Sequence, residues 1–189
     1  DEEQPLPHTE ENSPLPEDNM PSHAEQALQE MVGLTRLKED LQEARMMAAF
    51  MKRRMELGLD TELDNRHHML FLGNPGTGKT TVAKLIGQLY HQMGLLSSGH
   101  TIETCRTKLV GEYIGETEKH IRQAIEEARG GVLFIDEAYT LITTKQETKD
   151  FGKEVIHALL TVLSEPNPDM IIILAGYEDK MQQMLRTNP

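Results

Sequence analysis

The chain has 189 residues, enough to bury one core, with 38% apolar residues and a formal net charge of −12. It contains no apolar run long enough to span a bilayer, and its opening Asp-Glu-Glu-Gln lacks the basic-then-apolar pattern of a signal peptide. The single cysteine, Cys105, excludes an internal disulfide framework and points to a reducing, cytoplasmic setting.

The charge is uneven. Residues 1–35 hold nine acids and no Lys or Arg, while the other 22 acids and 19 bases leave only −3. A near-neutral body argues against non-specific nucleic-acid binding. The eight His show no zinc-ligand spacing. The first 22 residues carry five of the nine prolines and seven acids, a composition that cannot bury enough apolar surface to offset its ordering entropy. Residues 1–26 are therefore expected to be an acidic, disordered arm, and 27–189 the folded body.

A helix is expected from Thr35. Leu37, Leu41, Ala44, Ala48, Met51 and Met55 repeat at alternating spacings of four and three, which makes one apolar stripe suited to a core. Thr35 is its expected N-cap and Gly58 its stop. Apolar runs then alternate with helical patterns. Strands are predicted over 69–72, 101–105, 132–135 and 170–175. Helices are predicted over 79–93, 117–129, 151–164 and 181–185. Strands alternating with helices imply an α/β fold, a mostly parallel sheet covered on both faces.

Between the first strand and its helix, Gly73-Asn74-Pro75-Gly76-Thr77-Gly78-Lys79-Thr80 matches G-x-x-x-x-G-K-[ST] in full. The glycines let the backbone curl so that several N–H groups face a phosphate, and the following helix adds its positive end. Lys79 is placed to reach β/γ-phosphates and Thr80 to ligate Mg²⁺. The nucleotide implied is ATP. Some 56 residues later, Val132-Leu-Phe-Ile-Asp136-Glu137 ends a buried strand in two carboxylates. At the carboxyl end of a parallel strand they face the ligand crevice, where Asp136 serves the Mg²⁺ and Glu137 the attacking water. A third segment, Leu109-Val-Gly-Glu-Tyr113-Ile114-Gly115, sets an aromatic–aliphatic pair between glycines ahead of a helix. Its residues alone leave an anchoring Tyr and a functional loop equally open.

With these three segments in order, the sequence resembles the AAA+ ATPases, P-loop proteins with a three-layer sandwich. Within them it is similar to the CbxX/CfqX group of red-type Rubisco activases and stage V sporulation protein K. The narrower likeness rests on Asp150-Phe-Gly-Lys-Glu154 and Leu174-Ala-Gly-Tyr177. The resemblance implies that Val32 and Gly33 border the adenine, and that Thr81 joins the phosphate loop as a nucleotide-binding residue. It implies that Tyr113 and Ile114 grip a client polypeptide in the pore of a homo-hexamer, and that sensor 1 falls at Tyr177 or Glu178. It also implies that an Arg finger, sensor 2, a fifth strand and a lid belong beyond residue 189, which would leave the first strand on an uncovered edge and make hydrolysis by this chain alone weak. The expected activity is ATP-driven remodelling of a partner protein. An alternative is a nucleotide-gated interaction module with little hydrolysis. A DNA-dependent ATPase is disfavoured by the near-neutral body and the Tyr113 loop.

Overall fold

The computed structural model describes residues 22–31, 33–59, 64–74, 76–113, 115–142 and 151–187, together with the side chains of all but Phe151 and Thr187. Val32, Pro75 and Ile114 lie outside the described residues, as does all but the last few residues of the expected arm.

Four strands, β1 (Met69–Leu72), β2 (Thr101–Thr104), β3 (Val132–Ile135) and β4 (Ile171–Gly176), form one parallel sheet in the order β1-β4-β3-β2. Parallel strands need crossovers, and helices supply them. The connecting elements are α3 (Lys79–Gln92), the short α4 (Arg106–Leu109), α5 (Glu116–Ala128), a 3-10 helix over Ala138–Ile142, and α6 (Phe151–Leu163). The helix α7 (Glu178–Thr187) follows β4, and α1 (His23–Glu30) and α2 (Thr35–Glu56) precede β1. The apolar strand runs are legible because the central strands are buried on both faces. All four residues of β3 are fully buried.

Alternation along β3 and β4 divides the core. Leu133, Ile135 and Ile172 pack against α5, α6 and α7. Val132, Phe134, Ile171 and Ile173 face the opposite way, against α1, α2 and α3. Burying each such side chain contributes about 1.5–3 kcal/mol, so this two-sided stack dominates the stability.

Three expectations are corrected. The boundary drawn after residue 26 cuts through α1. Ser22 Oγ accepts the Glu25 N–H at 3.2 Å, and Ala24 and Leu28 are buried, so the whole of α1 with its Ser22 cap belongs to the folded body. Ser22-His-Ala-Glu25 carries the S-x-x-E spacing of a capping box, the signal that the apolar periodicity alone passes over. Thr35 does not cap α2. Leu34 does, with φ +56 directly after Gly33 at φ +82, and this left-handed pair turns the chain so that Thr35 is already helical. Finally, the stripe on α2 is core only in its first half. Leu41 and Ala44 are buried and Leu37 half-buried, whereas Met55 is 66% exposed. At about 1.5 Å per residue, the 22-residue helix is about 33 Å long, and its second half runs past the core cluster that Leu41 and Ala44 join. Gly58 does stop it: the Leu59 and Gly58 N–H groups donate to the Arg54 and Met55 carbonyls, a left-handed close at φ +67.

α1 lies antiparallel to α2. Glu25, in the first turn of α1, pairs with Arg45 at 2.7 Å, while Lys38 Nζ donates to the carbonyls of Gln29 and Met31 at its far end.

Candidate functional site

Three neighbouring strands, β1, β4 and β3, end at one edge of the sheet, and the chain after each turns into the same space. The Gly73 N–H donates to the Gly176 carbonyl at 3.1 Å, tying the start of the loop after β1 to the end of β4. The Asp136 N–H donates to the Thr104 carbonyl at 3.0 Å, extending the ladder one residue past β3. The result is a cavity of about 350 Å³ lined by Gly73, Gly76, Gly78, Lys79, Thr80, Phe134, Asp136, Glu137, Gly176 and Tyr177. It lies outside the carboxyl ends of parallel strands, where open α/β sheets bind ligands.

The loop geometry explains its glycines. Gly76 and Gly78 have φ +74 and +80, and a Cβ on either would meet nothing within 4 Å. Backbone conformation, not space, excludes side chains there. Gly78 is the N-cap of α3 and brings no capping side chain, so the first N–H groups of the helix are left for a ligand. Lys79 Nζ donates to the Gly73 carbonyl at 3.0 Å and the Asn74 carbonyl at 2.8 Å, and Thr77 Oγ1 donates to the Asn74 carbonyl at 2.8 Å. Asn74 and Thr77 thus brace the loop rather than line the cavity.

On the opposite wall, β3 ends abruptly at Asp136. Glu137 has φ +48, a left-handed conformation costing about 1–2 kcal/mol for a residue with a Cβ. Its N–H donates to Asp136 Oδ1 at 2.9 Å, and its carbonyl accepts from the Thr140 N–H and hydroxyl at 2.9 and 2.7 Å. These three bonds hold the turn. The Glu137 carboxylate is left exposed, with no hydrogen-bond partner among the described residues. A threonine hydroxyl and a carboxylate on one cavity form a hard oxygen donor set, which fits Mg²⁺.

Not every expected site residue is brought here. Thr81 faces solvent on α3, and Gly33, between α1 and α2, is not among the cavity residues. Tyr177 lines the cavity, whereas Glu178 starts α7 and does not. Tyr113 is 69% exposed on a separate loop. That loop is held by its own helix: the Glu112 and Tyr113 N–H groups donate to Glu116 Oε2 at 2.9 and 3.0 Å, and the Gly111 N–H to Thr117 Oγ1 at 3.0 Å.

The structure adds residues that the motifs do not name. Phe134 and Gly176 line the cavity. Behind Tyr177, Lys180 Nζ lies 5.3 Å from its ring and 4.9 Å from that of Tyr139. Partial withdrawal from water pushes the Tyr139 phenol above its ordinary pKa, with the Glu137 carboxylate adding to it.

Residues 69–188 match the ATPase family associated with various cellular activities (AAA). The chain is similar to stage V sporulation protein K of Bacillus subtilis (strain 168), at 44% identity over 87% of this chain and 50% of that protein. It is similar to protein CbbX of Cereibacter sphaeroides, at 42% over 85% of this chain and 51% of the relative. It also resembles the chloroplastic ribulose bisphosphate carboxylase/oxygenase activase of Cyanidioschyzon merolae, at 41% over 85% and 54% respectively. The chain thus spans about half the length of these relatives. Among solved structures, the FIGL-1 AAA domain in complex with ADP shares the fold, with a TM-score of 0.50, 21% identity and coverage of 78% of this chain and 48% of that one. With a phosphate loop and a strand-end acid pair meeting in one cavity of a parallel sheet, this chain belongs to the AAA family of ATPases.

Proposed function

We propose that this chain binds Mg·ATP in the β1–β4–β3 cavity, hydrolyses it, and couples the cycle to remodelling of a client polypeptide as part of a hexameric ring in the cytoplasm. The observation that carries the reading is the convergence of Lys79, Thr80, Asp136 and Glu137 on one cavity from opposite walls. Lys79 exchanges its two loop carbonyls for β/γ-phosphate oxygens, and the open N–H groups of α3 receive the same phosphates. Thr80 and Asp136 hold the Mg²⁺, which when bound neutralises charge on the phosphate oxygens. Glu137, with no partner to displace among the described residues, accepts the proton of the attacking water. Val32 and Gly33 border the base, and Tyr177 or Glu178 reads the phosphate end. Tyr113 with Ile114 contacts the client, a role supported by an exposed ring on a loop whose backbone is pinned by Glu116.

One observation favours the second reading, a nucleotide-gated interaction module: no arginine lines the cavity among the described residues. Charge building on the transferring phosphoryl then has only Lys79 and the metal from this chain, and turnover depends on a neighbour.

Separate measurements of ATP affinity and turnover test both. Lys79→Ala removes a charge-assisted contact worth about 1.5–3 kcal/mol and weakens binding by about 10- to 150-fold. Glu137→Gln keeps affinity and lowers turnover by about 10²–10⁴-fold. Unchanged affinity in the first variant, or unchanged turnover in the second, refutes the assigned roles. Tight binding with negligible turnover at every protein concentration selects the gated module. Tyr113→Ala is expected to leave ATP affinity intact and impair remodelling. Loss of ATP binding in that variant would make the Tyr a structural residue.

A further inference from the structure

The second half of α2 presents an apolar and basic face that nothing in the described structure covers. Met46, Met47, Phe50 and Leu57 are 66, 48, 52 and 60% exposed. Their spacing of one, four and eleven residues gathers them on one side of the helix. Arg45, Lys52, Arg53 and Arg54 border them and outnumber the acids Glu43 and Glu56, with Arg45 paired to Glu25 and Arg53 to Glu56. The Arg54 guanidinium stands over the Phe50 ring at 5.7 Å, which keeps the aromatic and the charge in one patch. A cluster of large exposed apolar groups rimmed by charged residues is the signature of an interaction surface.

We infer that this face is the docking surface of the chain's own acidic segment, residues 1–21. Three observations converge on that occupant. The first is position. The Glu25–Arg45 pair sets the entry to α1 level with the start of the exposed face, and the Lys38 bonds to Gln29 and Met31 fix α1 antiparallel to α2. The axis of α1, continued backwards past Ser22, therefore runs along α2 towards Leu57.

The second is charge. Residues 1–21 hold seven acids and no Lys or Arg, interspersed with Leu6, Leu15 and Met20, the complement of a basic face studded with methionines. The third is reach. From Arg45 to Leu57 the helix rises about 18 Å, which an extended chain covers in about six residues, well within the 21 at hand. A second copy docked through the same face is the poorer occupant. A two-fold contact through the same face would set Lys52, Arg53 and Arg54 against their own counterparts. Tethering raises the effective concentration of the segment into the millimolar range, so it outcompetes a free acidic peptide of similar sequence.

The test uses the full chain with methyl-labelled methionine. Cys105→Ser removes the native thiol, and Glu11→Cys carries a nitroxide spin label. Docking predicts that the Met46 and Met47 methyl signals lose most of their intensity. Met170 and Met181, buried across the sheet, keep theirs and report that the fold is intact. The loss should disappear in Lys52→Glu/Arg53→Glu/Arg54→Glu. It should also disappear near 1 M salt, where the Debye length is about 3 Å. Three outcomes overturn the inference. One is no selective loss at Met46 and Met47. Another is equal loss at all surface methionines. The third is loss that appears only when a labelled chain is mixed with a separately spin-labelled one, which assigns the face to contact between copies.

Discussion

At Gly176 a single missing methyl group holds two parts of the site together. A Cβ there would meet Tyr139 Cδ1 at 2.8 Å and Met181 Sδ at 2.9 Å, while the glycine carbonyl receives the Gly73 N–H. Gly176→Ala is expected to cost about 1–3 kcal/mol through overpacking and to weaken ATP binding, because Tyr139 lies against the Tyr177 wall of the cavity. Calorimetric unfolding and an ATP titration check this, and unchanged values in both would mean that Tyr139 and Met181 yield freely. The phosphate-loop residues were legible in the sequence because curling a backbone around phosphate demands glycines at fixed offsets from a lysine. Asp136 and Glu137 stood out because two acids close a buried apolar run some 56 residues after the phosphate loop. The Tyr139–Lys180–Tyr177 cluster left no such trace. It joins the 3-10 helix after β3 to the first turn of α7, a contact made only by the fold.

Elements were readable where burial is uniform. β3 and β4 are continuous apolar runs because both faces are covered; the expected bounds match β3 and lie one residue early at each end of β4. α2 misled because periodicity reports a continuous stripe and not how far the partner surface extends. α1 was hidden by its acidic, proline-rich approach although its cap was spelled out at Ser22.

A side chain also completes the sheet at its start. The Ile172 N–H donates to His68 Nδ1 at 2.9 Å, just before the β1–β4 pairing begins at Met69 and Ile173. Burial holds the His68 pKa below its ordinary value, and the neighbouring Arg66 and His67 charges lower it further. Below a pH of about 6.5 the unfolded chain therefore binds the extra proton and the folded one does not, so stability is full above that range and falls as the pH drops through it. His68→Ala leaves the Ile172 amide without its acceptor and is expected to cost about 1–3 kcal/mol near pH 7. The gap to the parent chain should narrow towards pH 5 in chemical denaturation. A gap that stays constant or widens would show that His68 does not carry this dependence.

For the whole molecule, only the edge position of β1 was legible, and that through family resemblance, since no local pattern says which parallel strand lies beside which. The observed β1-β4-β3-β2 order puts β1 at an edge. Its inner residues Met69 and Phe71 pack against α3, but Leu70 and Leu72 are 42 and 45% exposed on the other side. An exposed apolar edge invites pairing with another chain. Leu70→Lys with Leu72→Lys is expected to change the stability of this chain by less than about 1 kcal/mol, as surface changes do, while suppressing concentration-dependent association. Light scattering against concentration decides it, and undiminished association would place the sticky surface elsewhere.

The same edge position sets the timing of assembly on the ribosome. Among the described strands β1 pairs with β4 alone, and the bond from Ile172 to His68 spans 104 residues. At a synthesis rate of about 5–20 residues per second, the phosphate loop is finished roughly 5–20 seconds before the strand that anchors it exists. Nucleotide then cannot act as an early template for this domain. On the proposed function it selects only chains whose sheet has already closed, so ATP would reward completed folding and leave its first steps untouched.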